Sequence, residues 1–236
     1  MGEFTGNVVI VTGASEGIGR ALCLALAPQR PKLVLSARNA GRLESLAAEC
    51  RAAGAETLVV AGDLTDEHAC RALVDATLAH FGRLDTLVAN AGRTMWARVD
   101  EVSDASIFRE VMELNYFSVV SLTLAALPAL KASRGRLVPV ASVAGLTGVP
   151  ARSGYCASKH AMVGFFDSLR IELADTGVTV TLVCPDFVLS EIHRRALDGA
   201  GRPLGQSPMQ EAKIMTAEAC AALMVDAMAA RRRMLI

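Results

Sequence analysis

The alternation of apolar, strand-like runs with helical patterns constrains the fold of this 236-residue chain more than any other feature of its sequence. Short continuous apolar runs rich in β-branched residues are typical of strands buried on both faces. Seven such runs lie at 7–12, 32–37, 56–61, 84–89, 137–141, 178–183 and 234–236, and helical patterns separate them. Strands joined by helical crossovers form a parallel sheet covered on both faces. The sequence therefore predicts an α/β fold with a doubly wound parallel seven-stranded sheet.

A glycine-rich turn follows the first strand directly. Gly13, Gly17 and Gly19 have the spacing G-x-x-x-G-x-G, and a helical pattern begins at Arg20. Glycines let the backbone approach a pyrophosphate, and the N-terminus of the helix offers free N–H groups to its charge. A strand, a glycine turn and a helix in this order favour a dinucleotide site in a Rossmann-like fold over a plain turn.

The end of the second strand predicts which dinucleotide binds. A site for NAD usually has an acidic residue here that holds the ribose 2′-hydroxyl. This chain has Ser36 and then Arg38, with no acid before Glu44. A guanidinium suits a 2′-phosphate, so we predict NADP(H) rather than NAD(H). Glu16 in the glycine turn counts against this, because a carboxylate does not help to hold a phosphate.

Polar residues also follow the other strands of the predicted sheet. Asp63, Asn90, Ser142 and Pro185 each come directly after a strand or end it. The carboxyl ends of parallel strands meet at one edge of a sheet, where ligands bind in folds of this class. These residues are therefore expected to converge on one cleft with the glycine turn.

Tyr155 and Lys159 lie four residues apart at the start of a helical pattern, which places both side chains on one helix face. An ammonium beside a phenol favours the phenolate and should lower the pKa of the tyrosine from its usual value of about 10. A phenol tuned in this way can serve as a general acid or base. A tyrosine and a lysine at this spacing are common by chance, so the pair indicates a catalytic site only together with the other motifs.

Composition excludes several other classes of protein. Lys and Arg number 24 and so do Asp and Glu, so nothing resembles the basic surface of a nucleic-acid-binding protein. The six cysteines show no C-x-x-C spacing or His/Cys cluster, which predicts reduced core thiols and no metal site in a cytoplasmic protein. No signal peptide is expected. The most apolar run, 117–130, is interrupted by serines, a threonine and Pro128, so no membrane span is predicted.

Two stretches depart from the regular pattern. Residues 189–215 contain three glycines and two prolines, and we interpret them as a mobile substrate loop within a single domain covering 1–236. Pro139 lies inside a predicted central strand, where its missing N–H should leave a bulge or an unpaired position.

Together these motifs resemble the short-chain dehydrogenase/reductase family, and the resemblance covers essentially the whole chain. The motifs that match, in the order of the family, are Thr12-Gly13-x-x-x-Gly17-Ile18-Gly19, Asp63-Leu64, Asn90-Ala91-Gly92, Asn115, Ser142, Tyr155-x-x-x-Lys159 and Pro185-Asp186-x-Val188-x-Ser190. The chain departs from the family pattern at Asp186, where glycine is usual, and at Ser190, where threonine is usual. Each motif is weak alone, but the ordered set is specific.

The resemblance implies a role for each matching residue. Tyr155 would donate the proton to a carbonyl oxygen, and Ser142 would hydrogen-bond the same oxygen. Lys159 would lower the pKa of Tyr155 and bind ribose hydroxyls of the cofactor. Asn115 would hold a water molecule that links Lys159 to solvent. The predicted cofactor-binding residues, with Arg38 added from the argument above, are Gly13, Ser15, Gly17, Ile18, Arg38, Asp63, Leu64, Asn90, Tyr155, Lys159, Pro185 and Val188.

The expected function is therefore hydride transfer between NADP(H) and a small or medium, fairly apolar ketone or secondary alcohol. A 3-oxoacyl thioester reductase would need the same catalytic residues. A regulator that binds NADP(H) without turnover is a third interpretation, although a pure binding protein has no need of the full catalytic set. The resemblance also implies a homodimer or homotetramer.

Overall fold

A parallel sheet of six strands in the order β3-β2-β1-β4-β5-β6 forms the centre of the computed structural model, which describes residues 2–209 and 214–236. A short pair, β7 and β8, lies beside it. The strands are β1 (Val8–Thr12), β2 (Lys32–Ala37), β3 (Glu56–Ala61), β4 (Thr86–Ala89), β5 (Arg136–Pro139), β6 (Thr179–Val180), β7 (Leu182–Val183) and β8 (Met234–Leu235). The predicted doubly wound α/β fold is confirmed.

Helices connect the strands and cover both faces of the sheet. They are α1 (Gly17–Leu26), α2 (Ala40–Ala52), α3 (Glu67–Phe81), α4 (Ser106–Met112), α5 (Ser118–Ser133), α6 (Ser153–Glu172) and α7 (Ala217–Ala229). One apolar cluster packs α1, α2 and α7 against one face, and a second packs α3, α5 and α6 against the other. All six cysteines are buried and free, as predicted.

The sheet differs from the predicted seven continuous strands at one place. The predicted strand 178–183 divides at Thr181 into β6, which pairs with β5, and β7, which pairs with β8. Pro139 explains the division, because alternate residues of a strand direct their N–H groups to opposite neighbours. The N–H of Ala141 donates to the carbonyl of Val183. Pro139 is two residues before Ala141 and therefore faces the same neighbouring strand, where an N–H at its position would have pointed to Thr181. The predicted unpaired position is therefore present, and it separates the six-stranded sheet from the last strand pair.

The predicted continuous helix 104–131 is also interrupted. A π-helical segment, Glu113–Phe117, separates α4 from α5 and carries Asn115. Single π-helical turns occur often at functional sites. By length and composition alone, the stretch Ser106–Ser133 is long and apolar enough to cross a membrane, and 39% of its apolar window is buried. Core helices meet the same criterion, and one face of α5 lies in the second apolar cluster.

The predicted loop 189–215 contains no helix or extended strand in its described part, and residues 210–213 lie outside the described residues. Isolated bridges join Leu197 to Met95 and Val188 to Met215. These bridges hold the segment over the carboxyl edge of the sheet. Its mobility stays a prediction.

Candidate active site

The glycine turn after β1 forms a cradle that fits a pyrophosphate. Gly13 and Gly17 have φ values of +64° and +54°, which favour glycine. A Cβ on Gly13 would lie 2.9 Å from the Asn90 amide nitrogen, and one on Gly17 would lie 3.1 Å from Ser190. Glu16 is the N-cap of α1, but its side chain makes no capping bond, so the N–H groups of the first turn remain available to an anion.

Asn90 fixes this cradle to the neighbouring strand. Its amide nitrogen donates to the carbonyl oxygen of Thr12 at 2.9 Å, and the Thr12 hydroxyl accepts from the backbone N–H groups of Asn90 and Ala91 at 2.9 and 3.0 Å. The ends of β1 and β4 are therefore locked together where the strand order reverses. This is the position at which doubly wound sheets bind ligands.

Charged residues surround the glycine cradle on the side of β2 and β3. The Glu16 carboxylate pairs with Arg42 at 2.7 Å and with Arg195 at 2.6 Å, so its charge is matched from both sides. Arg38 is exposed at the end of β2 and forms no ion pair with any described residue. Two hydrogen bonds from Thr65 hold the pKa of Asp63 below its usual range, and the charge of Arg38 lowers it further.

Three predicted catalytic side chains meet above the ends of β4 and β5. Tyr155, Ser142 and Lys159 are 7%, 8% and 4% exposed. The Ser142 hydroxyl accepts from the N–H of Ala144 at 3.1 Å and donates to the carbonyl of Pro185 at 3.2 Å. These bonds hold the hydroxyl beside the phenol of Tyr155.

Lys159 points to the backbone rather than to the phenol. Its ammonium donates to the carbonyl of Val140 at 2.8 Å and lies 5.7 Å from the centroid of the Tyr155 ring. Burial lowers the pKa of Lys159 from its usual 10.5 to about 8.

The pKa of Tyr155 moves in the direction opposite to our prediction. Burial raises it, and the charge of Arg152 followed by the Ser142 hydroxyl opposes the rise. Lys159 makes no contribution that approaches these. The predicted lowering of the pKa of this phenol is therefore wrong, and Arg152 rather than Lys159 is the cation nearer to the ring.

Asn115 lies behind the site and is fully buried. Its side chain accepts from the N–H of Arg93 at 2.8 Å and donates to the Arg93 carbonyl and the Ser158 hydroxyl, both at 2.9 Å. A Cβ on Gly92 would stand 3.1 Å from the Asn115 amide oxygen and 3.8 Å from the Lys159 ammonium. Glycine at this position therefore keeps the space between the two side chains open.

One cavity of about 780 Å³ joins these features. Every predicted cofactor-binding and catalytic residue lines it except Asn115. Sequence reasoning missed Arg42, Arg93 and Arg152, which also line it. Arg152 could have been found, because it precedes Tyr155 by only three residues and lies directly before the first residue of α6. Among residues 2–209 and 214–236, no group of three His, Cys, Asp or Glu side chains could hold a metal ion.

The strand order, the glycine cradle and the buried tyrosine, serine and lysine define the chain as an α/β dinucleotide-binding protein of the oxidoreductase type. A family model described as short chain dehydrogenase matches residues 7–200. The chain belongs to this family, whose members bind NAD(H) or NADP(H).

Named relatives agree with this assignment. The chain is 41% identical to the human protein named Dehydrogenase/reductase SDR family member 7, over 96% of this chain and 68% of the relative. It is 37% identical to 11-beta-hydroxysteroid dehydrogenase A of Sesamum indicum, over 91% of this chain and 62% of the relative. It therefore spans about two thirds of the length of these relatives.

A solved structure shows the same fold. It is a short chain dehydrogenase/reductase from Burkholderia phymatum in complex with NAD, with a TM-score of 0.87 and 31% sequence identity. The match covers 99% of this chain and 89% of the other.

Proposed function

We propose that the protein is an NADP(H)-dependent carbonyl reductase or alcohol dehydrogenase that interconverts a ketone and a secondary alcohol. The observation that carries the proposal is the position of the Tyr155 and Ser142 hydroxyls at the wall of the cavity into which the glycine cradle opens. Relatives named 11-beta-hydroxysteroid dehydrogenase support a substrate with this functional group.

The side chains divide the work of the reaction. When bound, the nicotinamide cofactor supplies or accepts the hydride. Tyr155 donates its phenolic proton to the carbonyl oxygen as negative charge develops there, and the Ser142 hydroxyl hydrogen-bonds the same oxygen. Burial raises the pKa of Tyr155, which keeps the phenol in the protonated form that reduction requires. In the alcohol-oxidising direction the same groups act in reverse.

Lys159 and Asn115 support this step from behind. The Lys159 ammonium, fixed to the Val140 carbonyl at 2.8 Å, can bind the ribose hydroxyls of the cofactor. Asn115 holds the loop after β4 through Arg93 and leaves space beside Lys159 for a water molecule. Protons would return to Tyr155 along this route.

The preference for NADP(H) is proposed from Arg38. Its guanidinium has no ion-pair partner among the described residues, whereas Glu16 is already paired with two other arginines. A 2′-phosphate would supply the missing partner of Arg38. Replacement Arg38→Gln should weaken NADPH binding about tenfold, as for the loss of one charged hydrogen bond, without changing NADH binding. The exposed Arg109→Gln is the matched control, and tighter binding of NADH than of NADPH by the wild type would refute the preference.

Turnover of a panel of ketones and secondary alcohols, followed by nicotinamide absorbance, tests the reaction itself. Tyr155→Phe should reduce kcat about 100-fold or more, because a general acid contributes at least this much. The variant should bind NADPH as the wild type does. Normal turnover by Tyr155→Phe, or no turnover of any carbonyl by the wild type, would contradict the proposal.

A further inference from the structure

Arg152 is a buried cation in the wall of the cavity beside the proposed catalytic tyrosine. It is the N-cap residue of α6, is 4% exposed, and lines the cavity with Tyr155 and Phe187. Its guanidinium carbon lies 4.6 Å from the ring centroid of Tyr155, 5.3 Å from that of Phe187 and 5.4 Å from that of Trp96. Three aromatic rings therefore surround the charge.

The hydrogen bonding of this guanidinium is incomplete. Nη2 donates to the Thr94 hydroxyl at 2.8 Å, whereas the buried Nε has no partner. Arg152 forms no ion pair with any residue of 2–209 or 214–236. Burial lowers the pKa of its guanidinium, and the exposed Asp186 opposes this only from beyond ion-pair distance. An arginine has five donors, and a buried charge without a counter-charge is unfavourable. Among the described residues, no anion is therefore in direct contact with this guanidinium.

We propose that Arg152 binds a carboxylate of the substrate, so that the enzyme reduces an oxo acid and oxidises the corresponding hydroxy acid. This inference rests on the proposed function, because it names the substrate class of the same site. The edge formed by Nε and an Nη group matches the two oxygens of a planar carboxylate. A phosphate dianion fits less well, since a single guanidinium would have to offset two charges close to Asp186.

The position of the charge also limits where the carboxylate stands in the substrate. The guanidinium lies against the Tyr155 ring, whose hydroxyl is proposed to face the reacting carbonyl. The carboxylate is therefore only a few bonds from that carbonyl. The ring of Phe187, which lines the cavity, would contact the aliphatic part of the substrate, and the ring of Trp96 covers the guanidinium from outside the cavity.

Arg152 has another role that the test must separate from this one. Its charge lowers the pKa of Tyr155, so its removal could slow every substrate. An electrostatic or structural role would affect an acid and its neutral ester equally. A carboxylate-binding role affects the acid selectively, so the ratio of the two activities is the informative quantity.

The first measurement is calorimetric and needs no turnover. Pentanoate and the neutral pentanamide are titrated into wild type, Arg152→Met and Arg170→Met, each saturated with NADPH. Arg170 is the control because it lies on the same helix, outside the cavity. We expect pentanoate to bind wild type and Arg170→Met about 10- to 100-fold more tightly than pentanamide, as for one charged hydrogen bond, and this preference to vanish in Arg152→Met.

The second measurement compares kcat/KM for 2-oxobutanoate, 3-oxobutanoate and 4-oxopentanoate with that for their methyl esters. The acid-to-ester ratio for the best substrate should fall about 10- to 100-fold in Arg152→Met, with partial recovery in Arg152→Lys. An unchanged ratio, or equal binding of pentanoate and pentanamide by the wild type, overturns the inference. If pentanoate is preferred but neither acids nor esters are reduced, the proposed reaction fails while the carboxylate site stands.

Discussion

Replacing Lys159 by methionine should make the cofactor-free protein more stable at neutral pH, although the lysine belongs to the proposed active site. Lys159 is 4% exposed, and its ammonium contacts the Val140 carbonyl at 2.8 Å and the Met162 sulfur at 3.5 Å. No carboxylate offsets its charge among the described ion pairs. Burial accordingly lowers its pKa from 10.5 to about 8.

The magnitude follows from this shift. A pKa lowered by about 2.5 corresponds to roughly 3 kcal/mol, the amount by which the protonated lysine destabilises the folded state. Methionine removes this penalty but leaves the Val140 carbonyl without a donor, which costs about 1 kcal/mol. The net gain of about 2 kcal/mol should raise Tm by about 4–8 °C for a chain of this length.

The direction of the Lys159 pKa shift determines how the stability difference depends on pH. Below pH 8 the lysine is protonated in both states, so the full penalty is present and the variant has its full advantage. Between pH 8 and 10.5 the unfolded chain retains the proton that the folded chain has released, so the wild type gains stability as pH rises. Above this window the advantage of the variant is gone.

Urea unfolding of both proteins at intervals from pH 6 to about 10.5 measures the difference directly. Lys131→Met on the exposed side of α5 is the control and should change stability by no more than about 0.5 kcal/mol at each pH. If Lys159→Met is less stable than wild type at pH 7, or if its advantage is the same at pH 7 and pH 10, burial of the charge is not the dominant effect.

Two further substitutions, each with a control substitution, test packing around the site and the sheet. Gly145→Ala should lower the free energy of unfolding by about 2 kcal/mol and remove most activity, because its Cβ would lie 2.7 Å from the carbonyl oxygen of Lys159. The control Gly164→Ala, whose Cβ would have nothing within 4 Å, should raise the free energy of unfolding by about 0.5–1 kcal/mol. Arg136→Met should lose about 1–2 kcal/mol, because the Met228 carbonyl in α7 would be left without its donor, whereas the ion-pair partner Glu3 is exposed and can be solvated. The exposed Arg71→Met should change little, and equal urea midpoints within either pair would contradict these expectations.

The pattern of apolar runs predicted the fold because each run by itself shows that its strand is buried on both faces. The division of the sixth strand at Thr181 was not visible in that run itself. It depends on Pro139, which lies more than 40 residues earlier and faces Thr181 only once the sheet has formed. Sequence reasoning identified Pro139 as an unpaired position but could not identify the strand that would be interrupted.

The π-helical segment was missed for a different reason. Periodicity over 104–131 is consistent with one long helix, and a single wide turn hardly changes the pattern of apolar residues. The turn becomes visible only through the partners of Asn115, which belong to the loop after β4 and to α6. Its position therefore depends on contacts between elements.

The electrostatics of the tyrosine could not be predicted either, because the Tyr155–Lys159 spacing gives proximity along a helix without direction. In the structure Lys159 turns to the backbone, with a pKa of about 8, while burial raises the pKa of Tyr155, so the lysine releases its proton before the phenol does. Arg152 is then the cation that limits the rise in the pKa of the phenol. If a substrate carboxylate pairs with Arg152, this effect is offset and Tyr155 stays protonated when the substrate is bound. The same contact that selects an oxo acid would thereby keep the proton that its reduction consumes.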